Sequence, residues 1–153
     1  MGIINKLKEL GHELPEVSKP IGAYVPALRL GNLVMTSGML PMKDGKLVYT
    51  KEIGGVLNTV EDGYKAAKLC VLNGLAAINQ VVPLDNIERV IKVTGYVNSA
   101  KAFTDQPKVI NGASDFLTEI FGESGKHVRA AVGVSELPLG ASVEIEFIVQ
   151  VKD

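Results

Sequence analysis

Tryptophan is absent from this 153-residue chain, and all aromatic residues together make up only 5% of it. Core bulk must therefore come from Val, Ile, Leu and Ala. Cysteine occurs once, at Cys70, so no intrachain disulfide can form. That usage fits a reducing, cytoplasmic setting. Histidine occurs only at 12 and 127. With no HxxxH and no CxxC, neither a metal centre nor a cofactor is expected. A P-loop, a strand-anchored GxGxxG and a nucleophile elbow are also missing, which removes the common phosphate-binding and acyl-transfer devices. There is no excess of charge of either sign. The formal net charge is −1 and the basic residues are spread thinly, which argues against a nucleic-acid binder. No apolar run approaches membrane-spanning length. The first ten residues lack the apolar core and cleavage site of a signal peptide, and Lys6 stands where a myristoylation motif wants Ser or Thr.

What is present reads as a single domain over residues 1–153. A short amphipathic helix over residues 3–10 is stopped by Gly11. A polar loop follows, in which His12 is expected to be exposed. Gly31-Asn32 separates "ALRL" from "LVMTSG" and signals a β-hairpin. Asp44-Gly45 marks another turn, and "KLVYT" is a candidate short strand. Thr59, with Asp62 three residues on, opens a long helix running to about Val81. Its predicted buried stripe is Val60, Tyr64, Ala67, Val71, Leu75 and Ile78. Gly63, Ala66, Cys70, Gly74 and Ala77 form a small-residue flank, and Cys70 reads as core filler.

"RVIKVTGYVNS" alternates as a strand, with Ile91, Val93 and Val97 assigned to the core face. A second long helix follows, with Asp105 as N-cap, Pro107 in the first turn and Gly122 near its end. Its stripe is Val109, Ala113, Phe116, Leu117 and Ile120. The segment from His127 to Val151 reads as two strands joined by a Pro/Gly turn, a closing hairpin. The order predicts an α+β domain: a mostly antiparallel sheet, two long helices on one face, and a short N-terminal helix.

Two helices cover only one face of such a sheet. In the last strand Val143, Ile145, Phe147, Val149 and Val151 alternate with Glu144, Glu146, Ile148 and Gln150. The second set is neither plainly core nor plainly solvent-like. This mixed face predicts a homo-oligomer, with partners for the glutamates at or near the interface. Arg129 is the remaining candidate for chemistry. It is either a bidentate clamp for a ligand carboxylate or an ion-pair partner of Glu144 or Glu146. Ser37, Gly38 and Pro41, where a strand ends, can offer further polar contacts. His127 shares the face of Arg129 if the strand has begun there.

Three blocks, "IGAYVPALRLGNLVMTSGMLP", "VINGASDFL" and "VRAAVGVSELPLGASVEIEFIV", resemble those of the RidA (YjgF) family in order and spacing. The resemblance covers nearly the whole chain, about residues 20–152. It implies a chorismate-mutase-like α+β fold, assembled as a homotrimer with sites between subunits. It also implies hydrolytic deamination of reactive enamines and imines, taking 2-iminocarboxylates to 2-oxo acids and ammonia without cofactor. Members were once described as L-PSP endoribonucleases or translation inhibitors.

By the same resemblance Arg129 grips the substrate carboxylate and Glu144 holds water or relays protons. Tyr24 lines the pocket, Ser37 and Gly38 form the Ser-Gly of the "TSG" block, and Asn111 faces the ligand. Ala131 stands where many deaminases carry a cysteine that acts mainly through its backbone. The extra N-terminal helix, "GAY" in place of "GPY", and "DQPKVINGASD" mark a longer branch of about 150 residues. A non-catalytic binder of small carboxylates would use the same cleft. The scarcity of aromatics and the near-neutral charge disfavour the RNA reading.

Overall fold

A computed structural model describes residues 1–153. The elements are α1 (Ile3–Glu9), β1 (Ala27–Leu30), β2 (Leu33–Thr36), β3 (Met42–Lys43), β4 (Lys46–Leu47), α2 (Val60–Val81), β5 (Ile87–Asn98), α3 (Gln106–Phe121), β6 (Val128–Val134) and β7 (Val143–Val151). Five strands form the main sheet in the order β1-β2-β7-β5-β6, and β3 and β4 make a separate ribbon. The only parallel pair is β5 with β6, so the sheet is mostly antiparallel, as predicted. No helix is long and apolar enough to cross a membrane.

The local signals act where the sequence places them. Gly31-Asn32 joins β1 to β2, and Asp44-Gly45 turns the ribbon with positive φ at both residues. Thr59 and Asp62 close a full capping box. Asp62 Oδ2 accepts from the Thr59 N–H at 2.8 Å, and Thr59 Oγ1 accepts from the Asp62 N–H at 3.3 Å. These bonds hold the Asp62 carboxyl below its usual range. Thr59→Ala is expected to cost about 1 kcal/mol, read as a lower thermal midpoint with the fold retained.

Helices α2 and α3 lie on one sheet face. Their stripes meet Val34, Val93, Val97, Ile145, Phe147 and Val149 in one core. The helices approach so closely that a side chain at Gly112 of α3 would run into the backbone carbonyl of Tyr64 on α2. Cys70 is buried in this core and burial pushes its thiol well up, as befits a filler. Two stripe residues differ from expectation. Val60 and Tyr64 lie at the margin, half-buried, because the Tyr64 hydroxyl reaches outward to donate to Asp115 Oδ2 at 2.9 Å. Burial and that bond push the phenol up to about 12.

Three further expectations are corrected. His12 is half-buried rather than exposed, set edge-on against Phe116 at 5.0 Å. A register shift between Val90 and Lys92 drops Ile91 out of the alternation. Val90, not Ile91, is therefore the fully buried residue. The closing hairpin does not exist: β5 lies between β6 and β7 and pairs with both. Residues 135–142 are too many for a tight hairpin and instead carry β7 across β5. The division of labour is physical. β7 buries a side chain at every second position and belongs inside the sheet, whereas β6 is largely exposed and tolerates an edge.

The sheet's other face has no covering layer. One row across it reads Leu28, Met35, Ile148, Lys92 and Val128; the next positions carry Glu146, Thr94 and Ala130, then Glu144, Tyr96 and Val132. Leu28 and Val128 are 57% and 66% exposed, far from what such side chains adopt in a core.

Candidate functional site

The residues singled out from the sequence gather into two groups, one on each side of the sheet. The first is on the open face. Where β2 ends, the Ser37 hydroxyl donates to the Val25 carbonyl at 2.6 Å and its N–H to the Pro26 carbonyl at 2.8 Å. These bonds pin the chain just after Tyr24, whose ring is exposed. Met39 then pairs with Ile145, its N–H donating at 2.7 Å and its carbonyl accepting at 3.0 Å. Gly38 is thereby laid over Glu144, so closely that a Cβ at 38 would strike the carboxylate. A side chain at 38 would thus have to push the Glu144 carboxylate from its place.

Glu144 and Glu146 are two residues apart on β7 but sit differently. Glu146 Oε1 accepts from the Tyr96 hydroxyl at 2.8 Å. Glu144 is half-buried and accepts no hydrogen bond. Burial first, and the neighbouring Glu146 charge second, raise its pKa above the ordinary carboxylate value. The two acids thus differ: Glu146 is held by Tyr96, and Glu144 is left without a hydrogen-bond donor.

The second group lies between edge strand β6 and the outer side of α3. Arg129 Nη1 donates to Asn111 Oδ1 at 2.8 Å and to Ser114 Oγ at 3.1 Å. Asn111 and Ser114 are three residues apart on α3 and so share a helix face. Ser114 Oγ is 2.8 Å from His127 Nε2, and His127 Nδ1 is 2.6 Å from the Gly125 carbonyl. Burial lowers the His127 pKa and outweighs the bond to the Gly125 carbonyl, which raises it; the Arg129 charge lowers it further. Ala131 continues the Arg129 side of β6, half-buried in register with Gly95.

The guanidinium has no carboxylate within ion-pair distance; the two salt bridges of the chain are Lys108–Asp105 and Lys126–Glu123. The ion-pair reading across a hairpin therefore fails within one chain. Its reason is the inserted β5. Arg129 stands in register with Val93 on the helix side, while Glu144 stands in register with Tyr96 on the open side. Two strand spacings and three residue steps put their Cα atoms about 14 Å apart. Arg129 Nε and Nη2 bond to nothing in the protein, which leaves one edge of the fork open. One chain thus carries a guanidinium with an open edge and a half-buried carboxylate at separate places. No three His, Cys, Asp or Glu side chains converge in a metal-binding group.

Ser114 and Tyr96 escaped the sequence reading. An Asn-x-x-Ser spacing on a helix and a His-x-Arg spacing on a strand were the available signals for the second group.

Residues 5–150 match the family described as "YjgF/chorismate_mutase-like, putative endoribonuclease". Protein TCP17 of Trypanosoma cruzi is 39% identical over 149 residues, spanning 96% of this chain and 92% of its own. The 2-iminobutanoate/2-iminopropanoate deaminase of Dermatophagoides farinae is 31% identical over 140 residues, spanning 90% and 93%. The crystal structure of Atu1372 from Agrobacterium tumefaciens superposes with a TM-score of 0.90 at 43% identity, covering 98% of this chain and 92% of that one. The chain belongs to the YjgF/RutC family, the RidA-type family that its sequence blocks resemble.

Proposed function

We propose that the protein is a hydrolytic deaminase of 2-imino- and 2-enaminocarboxylates, acting at sites formed between copies of the chain in a homotrimer. The observation that carries this reading is the open edge of Arg129. Nη1 is tied down by Asn111 and Ser114, while Nε and Nη2 stay free in the geometry a carboxylate accepts. Support for the assembled site comes from the separation of the halves. A second copy laying its open face against the β6 edge of the first covers Leu28, Val128 and Val132 and brings a Glu144 toward an Arg129. The imine deaminase among the relatives supplies the substrate class.

The chemistry needs little. Arg129 holds the carboxylate, with Tyr24, Ser37, Gly38 and the backbone at Ala131 walling the cleft. Glu144 takes a proton from water as the oxygen attacks the imine carbon. It returns that proton to nitrogen, giving a carbinolamine; it then takes the new hydroxyl proton and delivers it to the amine nitrogen as the C–N bond breaks, so that ammonia leaves and the C–O bond becomes the carbonyl of the 2-oxo acid. For an enamine the proton first goes to the adjacent carbon. An acid whose pKa is raised by burial and by the neighbouring Glu146 charge is better suited to both directions of transfer.

The test generates 2-iminobutanoate in situ with an amino-acid oxidase and follows ammonia and 2-oxobutanoate release. At substrate well below KM, Arg129→Ala and Glu144→Gln chains should each retain no more than about a hundredth of wild-type activity alone. Mixed one to one with subunit exchange, they should regain about a quarter of wild-type activity, because one interface in four then pairs two intact halves. No recovery on mixing would defeat the shared site. Tight 2-oxobutanoate binding with no acceleration would make the chain a carboxylate-binding protein instead.

A further inference from the structure

We infer that Ser114 and His127 are positioning residues that set the orientation of the Arg129 guanidinium. The inference rests on the reading of Arg129 as a carboxylate clamp. Arg129 is on an edge strand and its side chain is long, flexible and exposed. Left to itself it would sample many rotamers and present its fork only part of the time. Asn111 gives one anchor at 2.8 Å. A single bond to Nη1 leaves the plane of the guanidinium free to turn about it. Ser114 gives the second, at 3.1 Å to the same nitrogen.

A serine hydroxyl is a dependable acceptor only when its own proton is directed elsewhere. His127 provides that direction. The Gly125 carbonyl has no proton to give, so the contact at 2.6 Å places the ring proton on Nδ1. Nε2 is then the acceptor, and the Ser114 hydroxyl donates to it at 2.8 Å. Both Ser114 lone pairs are left for Arg129. Donor and acceptor agree at every link from Arg129 through Ser114 and His127 to Gly125. Burial and the adjacent guanidinium favour the neutral ring that this arrangement requires. The same Ser-His contact offers nothing to a nucleophilic role, since no carboxylate stands behind His127 and the serine oxygen is engaged by Arg129.

The experiment measures binding of 2-oxobutanoate by calorimetry, together with KM and kcat for the in situ imine, on the full-length protein at pH 7.5. Ser114→Ala should weaken binding about five- to tenfold, the weight of one ordinary hydrogen bond, because the serine acts on the carboxylate only through Arg129. The loss should fall on KM more than on kcat. Ser114→Thr keeps the hydroxyl and should restore most of the affinity. His127→Gln, whose amide oxygen can replace Nε2 as acceptor, should stay close to wild type, whereas His127→Ala should resemble Ser114→Ala.

A merely structural role would instead lower the thermal midpoint and kcat together, without rescue by threonine. That outcome overturns the proposal, as does wild-type binding by both alanine variants when Arg129→Ala has lost it. Wild-type binding by Arg129→Ala itself would overturn the clamp reading beneath both. If His127→Ala does not fold, the Ser114 pair and His127→Gln decide the question alone.

Discussion

Arg129→Ala is expected to lower kcat/KM for 2-iminobutanoate by about 10²–10³-fold, since truncating one partner of a hydrogen-bonded charge pair typically costs about 2–5 kcal/mol. Most of the change should appear in KM and in the affinity for 2-oxobutanoate. The carboxylate is distant from the bond that breaks, so its clamp contributes binding and orientation rather than electronic assistance. The fold should be almost untouched. The guanidinium is exposed, is in no ion pair, and bonds only to Asn111 and Ser114, which water can satisfy after truncation.

Arg129→Lys separates charge from shape. Lysine keeps the positive charge but cannot occupy Asn111, Ser114 and a carboxylate in one plane. It should recover only a small part of the loss. If steady-state kinetics place Arg129→Ala within about threefold of wild type, the open edge of the fork is not where the substrate is held, and the deaminase reading loses its main support.

How much of this was legible beforehand depends on the range of the interactions. The two long helices, the α2 capping box, most of both stripes, the first hairpin and the alternation of β7 follow from patterns within single segments, and they stand where expected; Asp105 occupies the N-cap position of α3 but its side chain makes no capping bond. Strand order does not follow from such patterns. β6 and β7 are consecutive and both strand-like, so pairing them was the economical reading. Only the two-sided pairing of β5 and the length of residues 135–142 speak against it. The bulge at Ile91 escaped for a related reason, since strict alternation cannot announce its own interruption.

The site shows the same division. Arg129, Asn111, Glu144 and Gly38 were legible as chemical types in family blocks. That Arg129 and Glu144 turn to opposite sides of the sheet was not legible, and this is what makes two copies necessary to the proposed site. Ser114 was invisible because a serine on the outer face of a helix carries no signal until a strand is packed beside it.

Glu144→Gln is the other change with a large expected effect, and it should move activity and stability in opposite directions. Removing the proton carrier should lower kcat by about 10²–10⁴-fold, with little change in 2-oxobutanoate affinity, since Arg129 is intact. The stability change follows from the raised pKa. Above the unfolded value of 4.5 the folded state binds more protons at Glu144 than the unfolded state does. Folding therefore loses stability as pH rises through that window. Glutamine carries no such penalty. The variant should unfold at a higher temperature than wild type near pH 7.5, and the gap should close as pH approaches 4.5. Because the carboxylate is only half-buried, the gain is on the order of 1 kcal/mol or less.

Glu146→Gln is the informative companion. Its amide oxygen can still accept from Tyr96, so the fold is kept, but the charge that helps raise Glu144 is gone. The acid limb of its pH–rate profile should move to lower pH while kcat at the optimum stays within a few-fold. An active Glu144→Gln enzyme, or one less stable than wild type at neutral pH, would remove Glu144 from the proton path. The same two measurements on Gly38→Ala test the steric side of the argument. A methyl group there displaces the carboxylate from beneath the loop, so turnover should fall with Glu144 still present.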